Sequence, residues 1–170
     1  MFRWLKVLVA ASALATVAAC GSDNDDDASL DRNVVQQAQA DPRFSILAEA
    51  VVAADLVTTL SGSGPYTVFA PTNEAFVSLL GELGVSQAQL LANKALLTKV
   101  LTYHVVAGRV LKAEVPVGVP ITTLQGGTFT IDSALVITDQ RGRSARIVET
   151  DVVVRNGVIH AIDKVLLPAP

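Results

Sequence analysis

The two histidines are the side chains in this 170-residue sequence that are best suited to proton transfer or metal binding. Together with Asp151 or Asp163, His104 and His160 would form a sparse zinc site. The pattern does not favour zinc, because no cysteine lies near them and they do not share the H-x-x-x-H spacing. A hydrolase that uses either histidine is the weaker interpretation. Structural histidines, bonded to backbone or carboxylate groups, are the favoured one.

Other chemical motifs are absent from the sequence. The stretch Ser61-Gly62-Ser63-Gly64 lacks the first glycine of a nucleophile elbow, and no phosphate-binding or dinucleotide-binding glycine loop occurs. The 13 basic and 16 acidic residues give a formal charge of −3, which argues against a nucleic-acid partner. We therefore expect a protein that is not an enzyme and has no cofactor or metal.

Cys20 is the only cysteine, so an internal disulfide is excluded. Before it, Arg3 and Lys6 are followed by an uncharged apolar run over 7–19, too short to span a bilayer but suited to a signal peptide. The ending Val-Ala-Ala-Cys-Gly resembles a bacterial lipobox, which implies cleavage before Cys20 and its acylation. Because Gly21 is not aspartate, the resemblance implies the outer membrane in a two-membrane organism. The alternative is an ordinary secretory signal that ends beside a free thiol.

Residues 20–31 are predicted to be an acidic, disordered tether. Five aspartates and few apolar residues leave too little surface to bury. A calcium loop would use Asp23, Asp25 and Asp27, but Ala28 and Val34 occupy the positions that need glycine and glutamate. A solvated spacer is therefore the preferred interpretation.

The remaining residues, 32–168, are predicted to form one α+β domain. Helical periodicity and capping signals dominate the first half, with Asp41, Thr72 and Ser86 as candidate N-caps. The second half contains β-branched runs separated by glycine turns, including Asn156-Gly157, which we expect to supply positive φ angles. The predicted strands are 66–70, 105–106, 121–124, 128–131, 135–138, 146–150, 152–154 and 158–162. The last is predicted to be central, since both of its faces are apolar.

Three blocks in this domain resemble motifs of fasciclin-like domains. They are Thr67-Val68-Phe69-Ala70-Pro71-Thr72-Asn73-Glu74-Ala75-Phe76, then Leu101-Thr102-Tyr103-His104-Val105-Val106, and a closing block from Asn156 and Gly157 through His160 and Asp163 to Pro168. Their order and spacing match the family over about residues 32–168. The resemblance implies a wedge-shaped β-sandwich flanked by small α-helices in the first half.

The resemblance also implies candidate partner-binding residues. In animal members, the Tyr-His region and a later Asp-Ile pair are linked to integrin binding, and Tyr103, His104 and Asp151 match them, with Val152 in place of Ile. The preferred alternative is that Tyr103 and His104 are core residues and that Asp151 begins a strand.

Together, the motifs predict a non-catalytic, lipid-anchored module of the cell envelope. It would act in adhesion by contacting a surface protein or a glycan. Acylated Cys20 would attach it to the membrane. An envelope carrier of small ligands is the alternative, and a hydrolase is weaker still. The sequence leaves the partner and the oligomeric state open.

Overall fold

The structure is a computed structural model that describes residues 30–170. The predicted signal peptide, Cys20 and most of the predicted tether lie outside the described residues. The helices are α1 (Val34–Ala40), α2 (Ser45–Ala53), α3 (Val57–Leu60), α4 (Asn73–Leu83), α5 (Gln87–Ala92) and α6 (Lys94–Tyr103), with 3₁₀ turns at Pro42–Phe44 and Lys112–Glu114. The strands are β1 (Tyr66–Pro71), β2 (Val105–Ala107), β3 (Ile121–Thr122), β4 (Thr128–Ile131), β5 (Val136–Thr138), β6 (Ser144–Val154) and β7 (Gly157–Ile162).

Side-chain caps begin α1, α5, α6 and the 3₁₀ turn at Pro42–Phe44, whereas α2, α3 and α4 begin without one. The Asp41 carboxylate accepts from the Arg43 amide, and Ser86 and Gln89 form the predicted capping box of α5. Thr72 does precede α4, but the prediction that its side chain caps the helix is wrong. The next residue, Asn73, instead donates to the Pro42 carbonyl at 2.9 Å and accepts from the Ile46 amide at 3.1 Å. The first motif block therefore fastens α4 to the start of α2.

The seven strands are hydrogen-bonded in the order β2-β1-β7-β6-β5-β4-β3, and β1 with β7 is the parallel pair. The two predicted strands 146–150 and 152–154 are one strand, β6, whose pairing with β7 shifts register on either side of Glu149. Asp151, placed by the prediction at the start of a strand, lies inside β6 with a φ of 62°. This irregular stretch allows one long strand to pair with β7 at one end and β5 at the other.

β7 separates two apolar cores, which confirms that it is a central strand. Ile159 and Ala161 pack with the helices in one core, whereas Ile162 packs in the other with the remaining strands. In this second core the rings of Phe69 on β1 and Phe129 on β4 meet edge to face, with centroids 5.1 Å apart. Strands at distant positions of the sheet are therefore stacked, as expected for a sandwich with helices on one side, and the α+β prediction is confirmed.

The Asn156-Gly157 motif works differently from the prediction. Neither residue has a positive φ, so the turn explanation is wrong. Gly157 is needed because a methyl carbon there would lie 1.9 Å from the Tyr66 carbonyl oxygen on β1. The buried Asn156 side chain accepts from the Val34 amide at 2.9 Å and donates to the Leu60 and Gly62 carbonyls, each at 2.8 Å. This one amide group joins α1, the end of α3 and the β6–β7 hairpin.

Replacing Gly157 with alanine is expected to reduce the free energy of unfolding by about 3 kcal/mol, because β1 and β7 must separate to admit the methyl group. Gly81→Ala is the matched control. No atom lies within 4 Å of the added carbon on α4, so we expect a gain of about 0.5–1 kcal/mol from helix propensity. Urea denaturation measures both values, and equal effects of the two substitutions would contradict the close approach at Gly157.

Candidate functional site

Tyr103 and His104 end helix α6 and lie inside the protein. Tyr103 is 0 % exposed, and its hydroxyl donates to the Thr128 carbonyl at 2.7 Å and accepts from the Gln140 amide at 3.2 Å. Burial raises the pKa of the Tyr103 phenol. Its ring also meets Phe129 edge to face. In this conformation Tyr103 offers its side chain to neighbouring segments of its own chain and not to a partner at the surface.

His104 uses both ring nitrogens within the fold. Nδ1 lies 2.7 Å from the Val100 carbonyl, and Nε2 accepts from the Leu166 amide at 2.9 Å. Because an amide donates to Nε2, these partners assign the ring proton to Nδ1. Burial lowers the pKa of His104 to about 4, a shift that the Val100 hydrogen bond and the charge of Asp139 only partly offset. The imidazole is therefore a neutral clamp that holds the segment after β7.

His160 and Asp151 form a second clamp, between β7, β6 and the loop that follows β2. His160 Nε2 donates to the Val110 carbonyl at 2.9 Å, and Nδ1 accepts from the Asp151 amide at 3.2 Å. The exposed Asp151 carboxylate accepts from the Lys112 amide at 2.7 Å. Burial also lowers the pKa of His160, against opposing effects of the Val110 bond and the Asp151 charge.

Thr67 completes the attachment of this loop. Its buried hydroxyl donates to the Gly108 carbonyl at 2.7 Å and accepts from the Val110 amide at 2.9 Å. Residues 108–112 do not pair with a strand. Side chains of Thr67, Asp151 and His160 hold this loop in place instead. Asp151 differs from Tyr103 and His104 in that it is exposed, although its carboxylate already has an amide partner.

Most of the remaining motif residues are buried or hydrogen-bonded within the fold. Phe69, Pro71 and Phe76 are buried. Asp163 is exposed and accepts from the Arg146 amide at 2.7 Å, which joins the end of β7 to β6. Within residues 30–170, no group of three or more His, Cys, Asp or Glu side chains could hold a metal ion. The two histidines are in separate clamps, and the structure does not bring them together as ligands.

Asp139 is a buried residue that the sequence reasoning missed. One carboxylate oxygen accepts from the Arg141 and Arg143 amides, each at 2.9 Å, and the other accepts from the Leu167 amide at 3.0 Å. The local signal was present, since an aspartate that precedes Arg141-Gly142 is typical of an Asx turn. Its long-range bond to Leu167 had no such signal.

The chain matches known proteins over most of its described residues. A family model described as Fasciclin domain matches residues 42–168. The chain belongs to the fasciclin family. It is similar to "Protein sll1483" of Synechocystis, with 44 % identity over 138 residues that cover 79 % of this chain and 73 % of that protein.

The chain is also similar to an animal protein and to a solved structure. "Transforming growth factor-beta-induced protein ig-h3" of Sus scrofa is 38 % identical over 138 residues, which are 79 % of this chain but 19 % of that protein. A solved domain pair from the insect cell adhesion molecule fasciclin I superposes with a TM-score of 0.71 at 17 % identity, covering 79 % of this chain and 50 % of that one. At this identity the superposition shows the fold alone.

Protonation of His104 is expected to destabilise the domain as the pH falls. The pKa is 6.5 for an ordinary histidine and about 4 for His104 when folded, so the unfolded chain binds more protons between these values. The stabilisation is complete above pH 6.5, and on the order of 3 kcal/mol is lost by pH 4. The pKa of His160 is lowered too, so it contributes in the same direction.

The measurement is urea denaturation of the wild type and His104→Gln at several pH values, with His160→Gln as the control that retains His104. We expect the pH dependence between 6.5 and 4 to be shallower in His104→Gln. NMR titration of the imidazole resonances gives a direct check. Titration of the folded His104 ring near pH 6.5 would contradict its placement.

Proposed function

We propose that this fasciclin domain is a binding module of the bacterial cell envelope that acts in adhesion and is held at the membrane by acylated Cys20. The observation that carries the proposal is the family match over residues 42–168. Among proteins with this fold, fasciclin I is described as a cell adhesion molecule. We transfer only the class of function, contact with a partner at a surface, to this chain.

The arrangement of polar groups supports binding over catalysis. Both histidine rings have both nitrogens occupied by backbone groups, so neither is free to exchange a proton with a bound molecule in this conformation. Tyr103 and Thr67 are also occupied inside the fold. Contact with a partner would therefore use the outer surface, where Asp151 remains a candidate.

The apolar cavities support a contact module over a carrier of small ligands. Two of these cavities are small. The cavity between α1, α2 and β1 measures about 20 Å³, and the cavity beside α6 measures about 70 Å³. Sites for drug-sized ligands usually measure roughly 300–1,000 Å³. A larger depression of about 400 Å³, between α2 and α5, is broadly open to solvent, so it resembles a contact surface more than an enclosed site.

The anchoring part of the proposal rests on the lipobox-like sequence before Cys20. Within residues 30–170, no helix combines the length and hydrophobicity needed to cross a bilayer. Residues 32–170 contain 11 basic and 11 acidic side chains, so the five aspartates of 20–31 carry the net charge of the proposed mature protein. Such a segment is suited to holding a neutral domain away from an anionic membrane surface.

Cys20→Ala tests the anchor. We expect the wild-type protein to incorporate radiolabelled palmitate and to sediment with membranes, because acylation supplies the hydrophobic attachment. The variant should lose the label and leave the membrane fraction, whereas the control Ser29→Ala should behave as the wild type. Recovery of the wild-type protein in the cytoplasmic fraction, or labelling of the alanine variant, would contradict the proposal.

Deletion of the gene, followed by complementation, tests the adhesion role. We expect weaker surface attachment and aggregation in the deletion strain, restored by the wild type and not by Cys20→Ala. Unchanged attachment, aggregation and biofilm mass in the deletion strain would count against adhesion.

A further inference from the structure

A small apolar cavity reaches the surface between α4, α5, α6 and the segment that follows β7. Its volume is about 70 Å³. The walls are almost entirely aliphatic or aromatic, and six of the ten lining residues are at most 4 % exposed. Leu83, at the end of α4, is 43 % exposed, which marks the place where the cavity opens to solvent. The lining includes Phe76, Leu79, Leu90, Leu97 and Val100.

Arg141 is the one charged side chain that lines this cavity. It is exposed, and its Nε donates to the Pro168 carbonyl at 2.9 Å. Its amide donates to Asp139 at 2.9 Å, so both the backbone and the base of the guanidinium are held in place. Among residues 30–170, no hydrogen bond or ion pair uses the two terminal Nη nitrogens of Arg141. The guanidinium is therefore oriented and still has donors to offer.

The neighbouring carboxylates already have partners. Glu82, next to Leu83 in the chain, pairs with Arg143. The buried Asp139 accepts from three backbone amides. Lys99, on α6, donates to the Ala169 carbonyl at 3.1 Å and is not part of the cavity lining. The positive charge at the mouth of the cavity is therefore that of Arg141, whose free donors can attract an anion.

The cavity volume limits what the apolar part of a ligand can be. An apolar cavity of roughly 150 Å³ holds a benzene molecule, so a cavity half as large suits a group of about three or four carbons. This is the size of an aliphatic amino-acid side chain. A carboxylate attached next to such a group could accept two hydrogen bonds from the free side of the Arg141 guanidinium.

We propose that this cavity, the Arg141 pocket, binds a partner protein through one leucine-sized side chain that has a carboxylate beside it. A carboxyl-terminal leucine has this chemistry in its simplest form. The aliphatic group fills the cavity as a buried anchor, and the carboxylate pairs with Arg141 at its mouth. The inference rests on the proposed role of the domain as a binding module, and it adds the chemical class of the partner.

NMR titration of the purified, ¹⁵N-labelled protein with N-acetyl-leucine tests the pocket. We expect saturable shifts of the amides of Leu83, Val100 and Arg141. The neutral N-acetyl-leucinamide should bind about tenfold more weakly because it cannot form the charged pair, and N-acetylalanine should bind more weakly still because it leaves the cavity empty.

Two variants separate the charge from the cavity. Arg141→Gln keeps an amide that can reach the Pro168 carbonyl, and we expect it to bind N-acetyl-leucine and its amide within about twofold of each other. Arg155→Gln, the same change at an exposed arginine outside the cavity lining, should keep the full preference. Val100→Leu fills part of the cavity and should reduce binding of both leucine compounds without lowering the thermal midpoint.

Several results would overturn the pocket. These are the absence of saturable shifts, shifts that map elsewhere, or an unchanged preference for the carboxylate in Arg141→Gln. Binding of hexanoate without N-acetyl-leucine would indicate a fatty-acid site in place of a peptide site. Because the titration uses purified protein, a negative result removes the pocket while the cell assays still test adhesion. Conversely, binding with no adhesion defect in the deletion strain overturns only the envelope role.

Discussion

The bond from the Leu166 amide to Nε2 of His104 joins the last helix of the first half to the last buried residues of the domain. It exists because residues 165–168 are buried without forming a strand, and a buried amide without a partner is costly. The neighbouring Leu167 amide meets the same requirement through Asp139. Elsewhere, Asn156, Thr67 and His160 serve other irregular segments in the same way. Buried polar side chains therefore hold this fold together wherever regular pairing stops.

This need for hydrogen-bond partners explains why the side chains that are best suited to chemistry are already bonded to backbone groups of the fold. A histidine that accepts at one nitrogen and donates at the other is a convenient link between two backbone segments, provided that it stays neutral. Both histidines meet this condition, and burial keeps them neutral. The fasciclin Tyr-His motif, in this chain, joins α6 to β4, to the β5–β6 loop and to the closing segment. The recognition features that we propose, Asp151 and the mouth of the Arg141 pocket, are consequently on the surface.

The sequence predicted the features that depend on local patterns. The α+β class, the central position of β7 and the capping box at Ser86 follow from periodicity and short-range chemistry. The failures involve distant residues. Asn73 bonds to the start of α2 in place of Thr72 capping its own helix, and Gly157 is required by the carbonyl of Tyr66, ninety-one positions earlier. The merging of two strands into β6 likewise depends on β5 and β7, which local patterns do not contain. The Arg141 pocket is assembled from five separate segments, so no single sequence motif predicts it.

The parallel pairing of β1 with β7 has a consequence for how the domain is made. β7 lies between β1 and β6, so an interior position of the sheet is filled by nearly the last residues of the domain to be synthesised. Until residue 162 is available, β1 has only the short β2 beside it, and the helical core lacks Ile159 and Ala161. Contacts of such high sequence separation slow folding. A chain that is emerging from a ribosome thus has an incomplete sheet, and its apolar strands stay unprotected, until almost all of the domain has been synthesised.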